Sequence, residues 1–411
     1  MVHMDSYLAS PWIFLINMFL SFWIINVHGQ TSNFIVTDFG AIADGKTDNS
    51  QAFSDAWKKA CETEGGRLLV PVGGGSFYVS GAQFKGPCTG QTIFRIDGTI
   101  IASDDLTLDD QDYWITFHEV DALTLSGNGF FDGNGASSWS HCAHAPNDSL
   151  CIRKQKAPTT IKINYVTNAS IRDINLVNSK MFHLHIHESE NVIVDNVHIT
   201  APEDSPNTDG IHIGDSCNIK IIGSHIATGD DCVSIGEGST NVNISGVWCG
   251  PGHGISIGSL GKYEVEDNVT GITVRNCTLN NTDNGLRIKT WAPSKSANVV
   301  SNVTFTDINI YDVENPIIID QYYCPHNSCS HNGESSVEIK GVKFIGVRGS
   351  SASETSVKVE CSKSKPCQDI EFSGLDLTYE GQPSTAMCSS ADDKFQGSHQ
   401  VPSTCINLPH P

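Results

Sequence analysis

Through most of this chain apolar residues recur at every second position, in short runs, and seldom at helical spacing. Five runs can be laid over one another: Asp209-Gly-Ile-His-Ile, Asp231-Cys-Val-Ser-Ile, His253-Gly-Ile-Ser-Ile, Asn284-Gly-Leu-Arg-Ile and Asn315-Pro-Ile-Ile-Ile. A period of two describes a strand with one buried face. The inward pairs are Ile211/Ile213, Val233/Ile235, Ile255/Ile257, Leu286/Ile288 and Ile317/Ile319. One outward column then reads His212, Ser234, Ser256, Arg287, Ile318, and the next reads Gly214, Gly236, Gly258, Lys289, Asp320.

A second family, apolar-x-apolar-x-x-apolar, interleaves with the first. Examples are Ala169/Ile171/Ile174, Val192/Val194/Val197, Val242/Ile244/Val247, Ile272/Val274/Cys277, Val303/Phe305/Ile308 and Ile370/Phe372/Leu375. Repeats in the twenties to thirties, with no helix between them, predict a solenoid and exclude βαβ units. The expected fold is all-β: a right-handed parallel β-helix of about ten coils, with rungs roughly 4.8 Å apart. One helical stripe, Ala52, Phe53, Ala56, Trp57 and Ala60 with Asp48 as N-cap, predicts a helix covering the N-terminal end, with Trp57 in its core. The tail from Cys388 to Cys405 is expected to cover the other end. No linker divides residues 30–411, so they are read as one domain.

Bulk properties narrow the setting. Among 411 residues there are 37 glycines and only 17% charged residues, which suits short strands and turns. The net charge of −21 argues against nucleic acid and anionic membranes as partners. Residues 11–27 form an apolar block that ends at His28-Gly-Gln30, so residues 1–29 are read as a secretory signal peptide and the mature protein as extracellular. A membrane anchor is the rival, and Asn17 and Asn26 inside the block weaken it. The 14 cysteines fit an oxidising compartment, with close pairs Cys142/Cys151, Cys324/Cys329, Cys361/Cys367 and Cys388/Cys405. Asn147, Asn168, Asn243, Asn268, Asn276, Asn280 and Asn302 each begin an Asn-x-Ser/Thr sequon, which suggests glycans on exposed loops.

Stacking gathers chemistry. Asp209 and Asp231 share a register in adjacent coils, His253 takes that register in the next, and Asp230 should project differently from its neighbour. Arg287 and Lys289 follow one coil later. Each residue alone has a bland reading, as a turn residue or a solvated charge. Together they do not, because carboxylates on adjacent rungs repel and stability gives little reason to collect them. Glycoside hydrolysis requires such a set: a protonated carboxyl for the leaving oxygen and an ionised one for water. The cations would offset the repulsion and grip an acidic sugar.

Ser205-Pro-Asn-Thr-Asp-Gly, Gly229-Asp-Asp-Cys, Gly250-Pro-Gly-His-Gly and Arg287-Ile-Lys, in this order and spacing, resemble the four signature blocks of the polygalacturonases, glycoside hydrolase family 28. The resemblance runs from the Phe39-Gly-Ala opening to the C-terminal cysteines. It implies a β-helix that hydrolyses α-1,4 links of polygalacturonate (pectin) with inversion, without a metal or other cofactor. It also implies roles: Asp230 as general acid, Asp209 and Asp231 on the attacking water, His253 supporting the acid, and Arg287, Lys289 and Tyr323 binding sugar. Tyr322 is the alternative to Tyr323. Cys232 and Cys249 match a disulfide of the family beside the site.

An anionic chain acting on an anionic polymer needs a locally positive cleft, supplied by Arg287, Lys289, Lys262 and a charged His253. Screening over about 8–10 Å makes that sufficient. A calcium-dependent pectate lyase, a rhamnogalacturonan hydrolase and a catalytically silent β-helix are the rivals. Ala201-Pro-Glu-Asp-Ser-Pro, Ile319-Asp-Gln-Tyr-Tyr-Cys-Pro and the C-terminal cysteines resemble plant pollen-type exopolygalacturonases. Exo action is therefore favoured over endo, in a cell-wall enzyme expected to be monomeric.

Overall fold

In a computed structural model, the protein is described for residues 32–104, 112–144, 157–325, 329, 333–397 and 399–407. The apolar leader, the Asn147 sequon and Cys151, the expected partner of Cys142, lie outside the described residues. Among those described, no helix is long and apolar enough to cross a membrane.

The fold is a right-handed parallel β-helix. Twelve strands form one continuous parallel sheet from Ala82–Lys85 to Cys405–Asn407, and each winding adds one strand in chain order. The predicted alternation sets its register. Leu184, Ile211, Val233, Ile255, Leu286 and Ile317 are partners in successive strands, as are Ile186, Ile213, Ile235, Ile257, Ile288 and Ile319. All twelve side chains are buried. Parallel strands held in this register stack like residues over like, so one column of aliphatics packs the interior and the next lines the outer face.

The second strand family forms the other walls, and its named apolar residues are buried. Phe305, Phe344 and Phe372 stack there with ring centroids 5.0 and 5.3 Å apart. A corner of the helix is held by an asparagine ladder. Asn168, Asn191, Asn218 and Asn241 all have φ between 53° and 56°, a left-handed conformation that Asn tolerates better than most residues. Each amide then donates to the one below: Asn191 to Asn168, Asn218 to Asn191 and Asn241 to Asn218.

The N-terminal helix spans Ser50–Cys61 and buries the predicted stripe, with Trp57 against Phe84 and Phe117. Its N-cap position is Asn49, one residue beyond the predicted Asp48. Asp48 still serves that end, accepting from the Ser50 amide at 3.0 Å, while the Asn49 amide group is spent on Ile42 and Tyr78. The C-terminal tail is not a separate cover. Its strands Thr385–Ser389 and Cys405–Asn407 extend the sheet by two further rungs, joined by Cys388–Cys405. Disulfides Cys324–Cys329 and Cys361–Cys367 form as expected, and Cys61–Cys88, which sequence spacing did not suggest, ties the helix to the first coils. Cys217 and Cys277 remain thiols.

Candidate active site

The outward columns of the twelve-stranded sheet bring the predicted residues together. Asp231 is the hub. Its Oδ1 accepts from Arg287 Nη2 at 2.6 Å and Ser256 Oγ at 2.7 Å, and its Oδ2 accepts from Lys289 Nζ at 2.7 Å. Its side chain is 1% exposed. Burial alone would raise its pKa, but the Lys289 and Arg287 charges prevail and hold the carboxyl well below the usual carboxylate range. Asp231 is a fixed anion with both oxygens taken.

Asp209 is buried by contrast without a cation on its carboxylate. Its Oδ2 accepts from Ser234 Oγ at 2.6 Å. Burial, then the charges of Asp230 and Asp231, push this carboxyl well above its ordinary range. Of the two, Asp209 is the stronger base.

Asp230 projects differently from Asp231, as predicted. Its Oδ1 accepts from the Asp231 amide at 2.7 Å and pairs with His253 Nδ1 at 3.0 Å. The His253 ring reaches Asp283 Oδ2 with its other nitrogen, at 3.4 Å. The hydrogen bond it donates to Asp230 raises the imidazole's affinity for its proton against the opposing effect of burial. Tyr323 lies beside the cations, its ring 5.4 Å from Lys289 Nζ and edge-on to Trp291. Lys262 sits over the rings of Tyr263 and Trp291, 5.6 Å from each centroid. Cys232–Cys249 is formed and buried immediately after Asp231.

One column departs from the expectation. The register shifts between Ile257 and Leu260, so Gly258 does not pair with Lys289 in the second outward column. Its φ is +103°, and a Cβ there would stand 2.2 Å from the Lys289 carbonyl oxygen. Glycine is required at this position because two backbones meet there. The cleft charge is also leaner than predicted, since Asp231 cancels one of the two cations it binds.

Donor atoms of Asp230, Asp231 and His253 lie within 4.8 Å of one another, a spacing that could hold a metal ion. Asp231 is a poor metal ligand, because its carboxylate is already paired with Arg287 and Lys289, and a cation there would have to compete with both.

A family model described as glycosyl hydrolases family 28 matches residues 61–399. The chain belongs to that family. A polygalacturonase of Gossypium barbadense is 42% identical over 358 residues, 86% of each chain. An exopolygalacturonase of Platanus acerifolia is 41% identical over 382 residues, 92% of this chain and 98% of that one. Among solved structures, the endo-xylogalacturonan hydrolase from Aspergillus tubingensis superposes with a TM-score of 0.77 over 93% of this chain and all of that one, at 22% identity. At that distance the likeness bears on the fold.

Three features of this family 28 site escaped sequence reasoning. Asp283 was missed, although Asn281-Thr-Asp-Asn-Gly nearly repeats Asn207-Thr-Asp-Gly and could have flagged it. Lys162, His185 and His187 extend the outer face by two further strands, in register with His212 and Gly214. The run Leu184-His-Ile-His carries the same alternation and would have revealed them. Phe182, whose ring lies 4.6 Å from that of His212, stands in a turn without periodicity and left no signal.

Proposed function

We propose that this chain is a secreted polygalacturonase that cleaves α-1,4 links of polygalacturonate with inversion. The observation that carries the reading is the division between two neighbouring carboxylates: Asp231 is held as an anion by Arg287 and Lys289, while Asp209 is buried without a cation on it. Water between them is oriented by Asp231 and gives its proton to Asp209 as its oxygen attacks the anomeric carbon. Asp230, protonated, gives its proton to the leaving glycosidic oxygen. The proton gained by Asp209 then returns to Asp230 for the next turnover.

In the ligand-free site burial and the charges of Asp230 and Asp231 raise the Asp209 carboxyl. A bound glycosidic oxygen accepts a hydrogen bond only from a protonated Asp230, so substrate draws the proton there. Arg287 has five N–H donors and Lys289 three, so donors remain beyond Asp231 and Ser256 to grip the sugar carboxylate, with Tyr323 alongside. Carboxyls about 5 Å apart usually signal retention. That rule concerns the two groups that react, and Asp231, tied on both oxygens, is not a free nucleophile.

Exo action is the finer reading. It rests on the likeness to the Platanus exopolygalacturonase and on Phe182, whose ring packs against His212, one rung from Asp231. A signal peptide over residues 1–29, one catalytic domain over 30–411, a monomer and release into the cell wall complete the proposal. Timed sizing of products from polygalacturonate tests it: galacturonate monomer alone means exo, a ladder of oligomers means endo, and no release refutes the reading. NMR of the first product should show the β-anomer. An unsaturated, ultraviolet-absorbing product that chelator abolishes would indicate a lyase instead.

A further inference from the structure

Two side-chain chains run in parallel across neighbouring rungs of the site. In one, Arg287 Nε donates to Ser256 Oγ at 2.9 Å and Ser256 Oγ donates to Asp231 Oδ1 at 2.7 Å. In the other, His212 Nδ1 meets Ser234 Oγ at 2.8 Å and Ser234 Oγ donates to Asp209 Oδ2 at 2.6 Å. A serine hydroxyl has one hydrogen. While Asp209 is ionised that hydrogen belongs to the carboxylate, so Ser234 must accept from His212, and the imidazole carries its proton on Nδ1.

The two chains differ at their outer ends. Arg287 is a permanent cation and also touches Asp231 directly. His212 is an imidazole, and burial first of all, then the nearby Lys289, His187 and Lys162, push its protonation down to about 4 despite the opposing charge of Asp231. The His185 ring packs against it at a tilt, with centroids 4.9 Å apart. Around Asp209 stand Asp230, Asp231, Lys289 and His183, the last donating to the Asp209 backbone carbonyl. Gly214 and Gly236 add no side chain above the Nε2 edge of His212.

We propose that His212 and Ser234 are positioning residues for Asp209: the neutral imidazole fixes the serine, the serine fixes one carboxylate oxygen, and the other oxygen is left to take the proton from water. Resting on the hydrolase reading above, this makes a neutral donor at position 212, in place of the cation that serves Asp231, the choice that selects Asp209 as base.

The test has one readout that needs no turnover. In protein labelled with 13C at aspartate Cγ, and assigned with Asp209→Asn, the Asp209 carboxyl titration is followed by NMR. Ser234→Ala should move its midpoint up by about one pH unit, as expected for loss of one hydrogen bond to a charged group. His212→Ala should move it the same way by less. His212→Asn, whose amide can replace the Nδ1 donor, should leave it in place, as should Ser256→Ala. The acid limb of kcat on polygalacturonate should follow the same order. An unmoved midpoint in Ser234→Ala, or an equal shift in Ser256→Ala, overturns the proposal. Expected NMR shifts in a protein that leaves polygalacturonate intact would overturn the hydrolase reading and keep the relay. Hydrolysis with an unmoved midpoint would do the reverse.

Discussion

Asp231 and Lys289 stand 58 residues apart in the chain and meet at 2.7 Å, both nearly inaccessible to solvent. A buried pair gives a modest net gain when complete and a large loss when one partner is removed, because the remaining charge is left in low dielectric. Lys289→Met should therefore lower unfolding free energy by about 3–5 kcal/mol, read from urea denaturation, and should also weaken substrate binding. A variant with wild-type stability would show that Arg287 alone neutralises Asp231.

Asp230 carries the proton in the proposed reaction but little of the fold, since its side chain is not fully buried and pairs with a His253 that is about one-third exposed. Asp230→Asn should cut kcat by about 10²–10⁴-fold with little change in the thermal midpoint. Release of reducing ends measures the first, calorimetry the second. Unchanged turnover would remove Asp230 from the acid role.

Activity should peak on the acidic side of neutrality. A carboxyl raised by burial, as Asp209 is, keeps its proton above the usual carboxylate range. The working form holds one proton between Asp209 and Asp230. At strongly acidic pH Asp209 is protonated and no base remains; as pH rises through the raised range of His253, the imidazole loses the charge that supports the acid. A kcat profile with its maximum well above neutrality would contradict this assignment.

The seven sequons should not be used equally. The Asn168 amide nitrogen donates to Asp121 at 2.9 Å and its oxygen accepts from Asn191, so a glycan there would have to break the foot of the asparagine ladder. Asn276 is exposed on a turn beyond that ladder. Peptide mapping of protein made in a secretory host should find a glycan on Asn276 and none on Asn168.

How much of this was readable from the residues alone follows from what each signal depends on. Ile211/Ile213 and their counterparts disclosed the strands, because burial on one face writes itself into a period of two. The same register placed Asp209, Asp231, Arg287 and Lys289 on one surface. Gly258 misled, because a bulge breaks register without changing the apolar pattern around it. The His212–Ser234–Asp209 chain was out of reach although its members stood in the right columns. Hydrogen bonding between neighbouring rungs depends on rotamers, which alternation does not encode.

Asp231 lies on one winding, Ser256 on the next, and Arg287 and Lys289 on the one after. A nascent chain that ended before Asn284 would strand a buried anion with no counterion, so an incomplete stack has a reason to keep this stretch open. Chemical competence would then arrive in a single step, when the later coil docks and rivets three turns of the solenoid through one carboxylate.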